Sequence, residues 1–176
     1  MGMDVIGLEP ITEAGQYFRR NIWGWRRLAD MVCVIAPRLT AHCEHWHSND
    51  GDGLDAETST LLAQELQAAI ASGKALRLIA ARDAAVAGLP REACHLCDGI
   101  GIRRDQIGVQ AGQPERVIGP DTGAPPDHPR YGQTGWCNGC SGRGSNANFE
   151  SHYYVSVDDI AEFARFLAGC GGFEIC

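Results

Sequence analysis

Apolar residues return at helical spacing in four stretches of this chain. From Ile22 to Ala36 the positions Trp25, Leu28, Val32 and Ile35 line one face, and Pro37 closes the run because the residue before a proline is pushed out of helical dihedrals. A second stretch opens at Asp55, whose carboxylate can accept the free N–H groups of a first turn. It runs through Leu61, Leu62, Leu66, Ala69 and Ile70 and stops at Gly73. A third, from Lys74 to Ala87, carries Leu76, Ile79, Ala80 and Val86 on a small alanine-rich face and ends at Gly88-Leu89-Pro90. The fourth follows Ser156-Val157-Asp158-Asp159, a capping-box phrase with Asp where Glu or Gln is usual. It places Ile160, Phe163, Ala164 and Leu167 together before Gly171 or Gly172.

The remaining segments lack that period. Residues 1–16 read as an irregular lead-in with room for a short strand, and residues 39–54 as a polar loop. Residues 105–136 are crowded with glycine and proline, which predicts an insertion without regular elements that a partner would order. The β-favouring Tyr153-Tyr154-Val155 predicts a strand within 149–157. The expected fold class is α+β: a mainly helical domain of about four helices with an inserted zinc-ribbon-like module. Residues 1–90 supply its helical part, 91–147 the inserted module, and 148–176 the strand and last helix that return to the main domain.

The module is defined by a repeated phrase. Cys94-His95-Leu96-Cys97-Asp98-Gly99-Ile100-Gly101 is matched by Cys137-Asn138-Gly139-Cys140-Ser141-Gly142-Arg143-Gly144, two copies of C-x-x-C-x-G-x-G. A two-residue gap lets both sulfurs of a knuckle face one ion, and the trailing glycines permit a tight turn that brings backbone N–H groups to the sulfurs. Four sulfurs make a closed tetrahedral site, so Cys94, Cys97, Cys137 and Cys140 are expected to hold one structural Zn2+ per chain. Such a site leaves no open position for water or substrate. Its expected role is to pin the ends of the insertion.

With 176 residues the chain is long enough to bury a real core, so metal is local reinforcement. The formal charge is −7, and a four-thiolate zinc site makes it more negative, which argues against a nucleic-acid partner. No basic, apolar leader opens the chain and no apolar run approaches the roughly 18 residues of a membrane span, so a cytoplasmic protein without membrane attachment is expected. In a reducing compartment the eight cysteines read as four ligands plus four free thiols, Cys33, Cys43, Cys170 and Cys176.

The repeated phrase resembles that of the DnaJ-type cysteine-rich zinc domain, in which two such repeats come together around each zinc. That family carries four repeats and two zincs, whereas two repeats suffice here for one. The co-chaperone signature His-Pro-Asp is absent, since Arg130 follows His128-Pro129. The resemblance therefore implies a metal site and not a co-chaperone role. Together with Tyr17-Phe18-Arg19-Arg20-Asn21, Asn49-Asp50-Gly51-Asp52-Gly53-Leu54 and Gly171-Gly172-Phe173-Glu174-Ile175-Cys176, the knuckles also resemble a family of uncharacterised bacterial and phage proteins, which implies no particular activity.

Two further constellations carry candidate chemistry. The loop 42–55 concentrates His42, His45 and His47 with Asp50, Asp52 and Asp55, and a histidine beside a carboxylate makes a general base. His45, His47, Asp50 and Asp52 are the candidate catalytic residues there; capping alone explains Asp55. An EF-hand is excluded because the register from Asp50 puts Leu54 at a ligand position and no glutamate at 61. The run Tyr17 to Arg27 holds four arginines, and guanidinium groups bind phosphate or carboxylate in a fork. Arg19, Arg20, Arg26, Asn49, Asp50 and Asp52 are accordingly the candidate ligand-binding residues. Two functions follow: a non-enzymatic binding or regulatory protein acting on a protein or small-molecule partner, with a phage connection conceivable, or a small hydrolase or transferase using loop 42–55. Whether the chain is an enzyme, and its oligomeric state, stay open at this stage.

Overall fold

The computed structural model describes residues 2–48 and 50–176, so the candidate Asn49 lies outside the described residues. The chain divides into two compact units, one formed by Met1–Ala87 with Tyr153–Cys176 and the other by Gly88–His152.

The first unit is a four-stranded antiparallel sheet backed by helices. Strands β1 (Gly2–Gly7), β2 (Tyr17–Asn21), β3 (Gly53–Leu54) and β6 (Phe173–Ile175) lie in the order β2-β1-β6-β3. Alternation along β1 turns Met3 and Val5 inward and leaves Ile6 exposed, while Phe18, Phe173 and Ile175 extend the same buried face. The helices are α1 (Ile22–Ile35), α2 (Ala56–Ala71), α3 (Lys74–Ala87) and α5 (Val157–Gly169). Each long helix begins where a polar side chain meets its free N–H groups, except α3, which has no such cap. Asn21 Oδ1 accepts from Gly24 at 2.8 Å, and Asp55 Oδ1 accepts from Thr58 at 2.7 Å. Ser156 and Asp159 bond reciprocally, at 2.8 and 3.1 Å, as a capping box.

The core of this unit is aromatic. Trp25, Trp46, Phe163, Phe166 and Phe173 are all at most 2% exposed, with Phe18 beside them at 4%. The indole N–H of Trp25 donates to the main-chain oxygen of Trp46. Residues 39–54, which the polar pattern assigns to a solvent loop, therefore contribute one of the largest core side chains and end in a strand. Sheet hydrogen bonds from Gly51 N–H to Ile175 O (3.1 Å) and from Ile175 N–H to Asp52 O (2.8 Å) fasten the loop to β6.

The strand expected within 149–157 does not form. Phe149–His152 is a turn of 3-10 helix, and the residues after it run to the Ser156 cap without a strand partner. Tyr153 instead stacks on Trp23 at 5.3 Å, and its main-chain oxygen accepts from Arg82 at 3.1 Å. Tertiary contacts override β propensity where no sheet edge is offered.

The second unit contains the two knuckles, a short ladder of β4 (Glu92–Ala93) with β5 (Ser145–Asn146), and the five-residue helix α4 (Gln106–Gln110). Asp105 caps α4 through Gly108 N–H at 2.9 Å. The insertion departs from the irregular reading: Val117 bridges Thr134, Ile118 N–H reaches Gln133 O at 2.9 Å, and Gly132 N–H returns to Ile118 O at 2.8 Å. Ile118, Ala124 and Trp136 form a small core of their own. Glycine and proline in this stretch serve tight turns around that core rather than disorder. Among the described residues no helix is long and apolar enough to cross a membrane.

Candidate metal centre

The two knuckles fold alike, hydrogen bond by hydrogen bond. Cys97 N–H and Gly99 N–H both donate to Cys94 O (3.2 Å each), and Ile100 N–H donates to Cys97 O at 3.0 Å. In the second copy Cys140 and Gly142 donate to Cys137 O (3.3 and 3.0 Å), and Arg143 donates to Cys140 O at 3.0 Å. The residue after the second cysteine adopts a left-handed conformation in both, φ +49 at Asp98 and +50 at Ser141, and so do both trailing glycines. The result is that Gly101 N–H points at Cys97 Sγ and Gly144 N–H at Cys140 Sγ, each at 3.2 Å. An amide aimed at sulfur stabilises the thiolate that a metal requires.

The four sulfurs converge. Cys94 Sγ lies 3.9 Å from Cys137 Sγ, and Cys97 Sγ lies 3.8 Å from Cys140 Sγ. All four fall within 4.8 Å of one another, and all four residues are buried. Metal–sulfur bonds of about 2.3 Å in tetrahedral geometry place ligand sulfurs about 3.8 Å apart, so the cage matches the group it would hold. None of the four is in a disulfide. Burial pushes the Cys140 thiol up to about 12, against the pull of the Gly144 N–H and with the Cys97 and Cys137 sulfurs adding to it. Four thiolates in contact repel one another unless a cation sits among them, and proton release on metal binding is the expected consequence. These cysteines therefore form a group able to hold one metal ion, with every ligand position taken by sulfur.

Two glycines test how tightly the knuckles are pressed together. Gly99 and Gly144 have nearly equal φ, +81 and +80. A Cβ on Gly99 would meet nothing closer than 3.8 Å, whereas one on Gly144 would lie 2.2 Å from Gly99 O. Gly99→Ala is expected to cost backbone strain alone, about 1–3 kcal/mol. Gly144→Ala adds overpacking of about 1–3 kcal/mol and pushes the knuckles apart. Thermal denaturation of both metal-loaded variants checks this, and equal losses would refute the close approach.

The other candidates are dispersed. His47 Nε2 lies 3.0 Å from Asp30 Oδ1 on α1, and Asp50 accepts from Ser48 Oγ at 2.6 Å. Asp52 accepts from the main-chain N–H groups of His45 and Gly53, both at 2.8 Å, so its carboxylate braces the loop. His42, His45 and His47 are exposed. Arg19 pairs with Asp4 at 3.4 Å, and Arg26 is exposed on α1. Arg20 bonds Asp159 at 3.1 Å and pairs with Glu162, both on α5, and lies over the Phe18 ring at 4.8 Å. Although burial acts upward on Asp159, Ser156 and then Arg20 hold its carboxyl below the usual range. Among the described residues, the four cysteines are the group of metal-ligating side chains that converges.

Sequence reasoning missed the side chains that hold the second knuckle. The buried polar residues of the second unit, Arg103, Gln113 and His128, all bond to it. Arg103 Nη1 donates to Asn138 Oδ1 at 3.0 Å, Gln113 Oε1 accepts from Asn138 N–H at 3.0 Å, and His128 Nε2 meets Ser141 O at 2.7 Å. Their signal was slight: a basic residue two positions past the first repeat, and a His-Pro that the missing aspartate made look incidental. Compared with protein-family models, curated proteins and solved structures, the chain matches none.

Proposed function

We propose that this is a zinc-stabilised, non-enzymatic binding protein of regulatory type, whose cysteine module presents a surface to a protein partner. The observation that carries the reading is the closed cage of four buried sulfurs, which leaves a bound ion no site for water or substrate. Zinc is favoured because an all-sulfur tetrahedral cage suits it and it brings no redox demand. The two C-x-x-C-x-G-x-G phrases support a DnaJ-type arrangement of two repeats around one zinc, and a bacterial or phage origin rests on the sequence phrases alone. A recess of about 370 Å³ beside the first knuckle, where Leu96, Ile100 and Ile102 meet Asp98, Arg104 and Asp105, supports contact with a partner surface of mixed apolar and charged character.

The hydrolase or transferase alternative requires an imidazole of loop 42–55 to face one of its aspartates. The His47 ring is on Asp30, and Asp52 is engaged by main-chain N–H groups. Intact mass under native conditions tests the proposal on freshly purified protein. One zinc per chain is expected, without a second metal; an apo chain or a different ion at the cysteines would overturn the reading.

A further inference from the structure

The insertion folds back on the knuckles through one guanidinium. Arg130 Nη1 donates to Gly101 O and to Gly142 O, each at 3.1 Å. Gly101 belongs to the first repeat and Gly142 to the second. Its Nη2 donates to Thr134 O at 3.3 Å and its Nε to Gln133 Oε1 at 3.2 Å, so all three nitrogens are engaged. The backbone of the same residue is fixed as well: Arg130 N–H donates to His128 Nδ1 at 3.1 Å. The imidazole hydrogen is then on Nε2, which donates to Ser141 O at 2.7 Å.

The two carbonyls that share Nη1 are not arbitrary ones. Gly101 is the residue whose N–H reaches Cys97 Sγ, and Gly142 donates to Cys137 O two positions before Gly144, whose N–H reaches Cys140 Sγ. A single nitrogen therefore spans the two turns that aim amides at sulfur. A four-thiolate site around a divalent ion carries a net charge of about −2, and a half-buried cation one carbonyl away offsets part of it.

We infer that Arg130 is a positioning residue of the metal centre, joining the two repeats so that both pairs of sulfurs keep their places around the ion. This rests on the metal-binding reading above, and it gives the insertion a role that sequence alone does not suggest. Groups that orient metal ligands in this way are worth about 10–100-fold in metal affinity. Lysine cannot replace it, because an ammonium is a point donor on a flexible stem and cannot meet two carbonyls, Thr134 O and Gln133 together.

The test is metal affinity by chelator competition for the full chain and for Arg130→Gln, Arg130→Lys and Arg116→Gln. The last removes an equal charge from an exposed site of the same unit outside both repeats. Each protein is first saturated with Co(II), whose absorption bands report a tetrahedral four-sulfur site, so that affinity is read on assembled centres. Arg130→Gln and Arg130→Lys are both expected to weaken binding about 10–100-fold with the four-sulfur bands intact, while Arg116→Gln stays near the parent. If Arg130→Gln does not assemble, Arg130→Lys decides: weakened binding supports the inference and parental binding overturns it. Equal affinities across the series overturn it while leaving the metal centre standing. A parent chain that gives no four-sulfur spectrum overturns both.

Discussion

Stripping the metal with a strong chelator is expected to unfold residues 88–152 while the core of residues 1–87 and 153–176 survives. The second unit has little else to hold it. Its apolar core is Ile118, Ala124 and Trp136, and its other buried cluster is the four cysteines themselves. A module of this size rarely stands on apolar burial alone, and structural zinc in small domains supplies an apparent 10–16 kcal/mol, roughly, at neutral pH. Four sulfurs in contact and without an ion would either protonate in a buried site or repel one another. The first unit has its own continuous core, running from Met3 to Ile175, which does not include the cysteines of the cage. Limited proteolysis with mass readout checks this: cleavage should appear between residues 88 and 152 on chelation and disappear on adding Zn2+ back. Cys137→Ser should behave as the chelated protein does. Continued protection of the module without metal would show that the cage is an accident of packing.

Truncation of Phe163 to alanine is expected to be the most damaging single change in the first unit, at about 3–5 kcal/mol. Phe163 is 0% exposed and stands at the centre of the aromatic cluster. Its ring lies 5.1 Å from Phe18, 5.6 Å from Trp25, 5.9 Å from Phe166, 6.1 Å from Phe173 and 6.3 Å from Trp46. Those neighbours come from β2, α1, α5, β6 and the loop 39–54, so the cavity would be shared by elements that cannot all collapse onto it. Aromatic pairs contribute about 0.5–1.5 kcal/mol each beyond area burial, which adds to the transfer loss. Tyr154, 76% exposed, is the comparison: its replacement by alanine should change stability little. Urea denaturation reads both, and a Phe163→Ala loss below about 1.5 kcal/mol would show that the cluster repacks.

The long helices were legible because each carries its own instructions. Asp55 and Ser156 cap, Pro37, Gly73 and Gly171 stop, and the apolar stripe between has the right period, while the Asn21 cap of α1 shows only in the structure. The sheet was not legible, because no strand carries enough period-two signal: Met3 and Val5 serve β1, Phe18 alone is buried on β2, and Phe173 and Ile175 serve β6. Residues 17–21, 50–54 and 171–176 nonetheless lie in or beside that sheet, around β2, β3 and β6. At the metal centre the cysteine spacing pointed to a convergence that the fold produces. Arg103, Gln113, His128 and Arg130 had no such spacing, since their partners lie between 12 and 35 positions away. Loop 42–55 stands out in the sequence for its histidines, whereas the side chain it gives to the core is Trp46.

The sheet order has a consequence for how the polypeptide is made. β6 is flanked by β1 on one side and β3 on the other, so β1, at residues 2–7, gains its second neighbour only after residues 173–175 have left the ribosome. The hydrogen bonds that shape both knuckles lie within residues 88–152, so the cage can take form on the nascent chain while the sheet is still waiting. An ion bound at the cage would then meet the middle of the protein while its two ends are still unpaired.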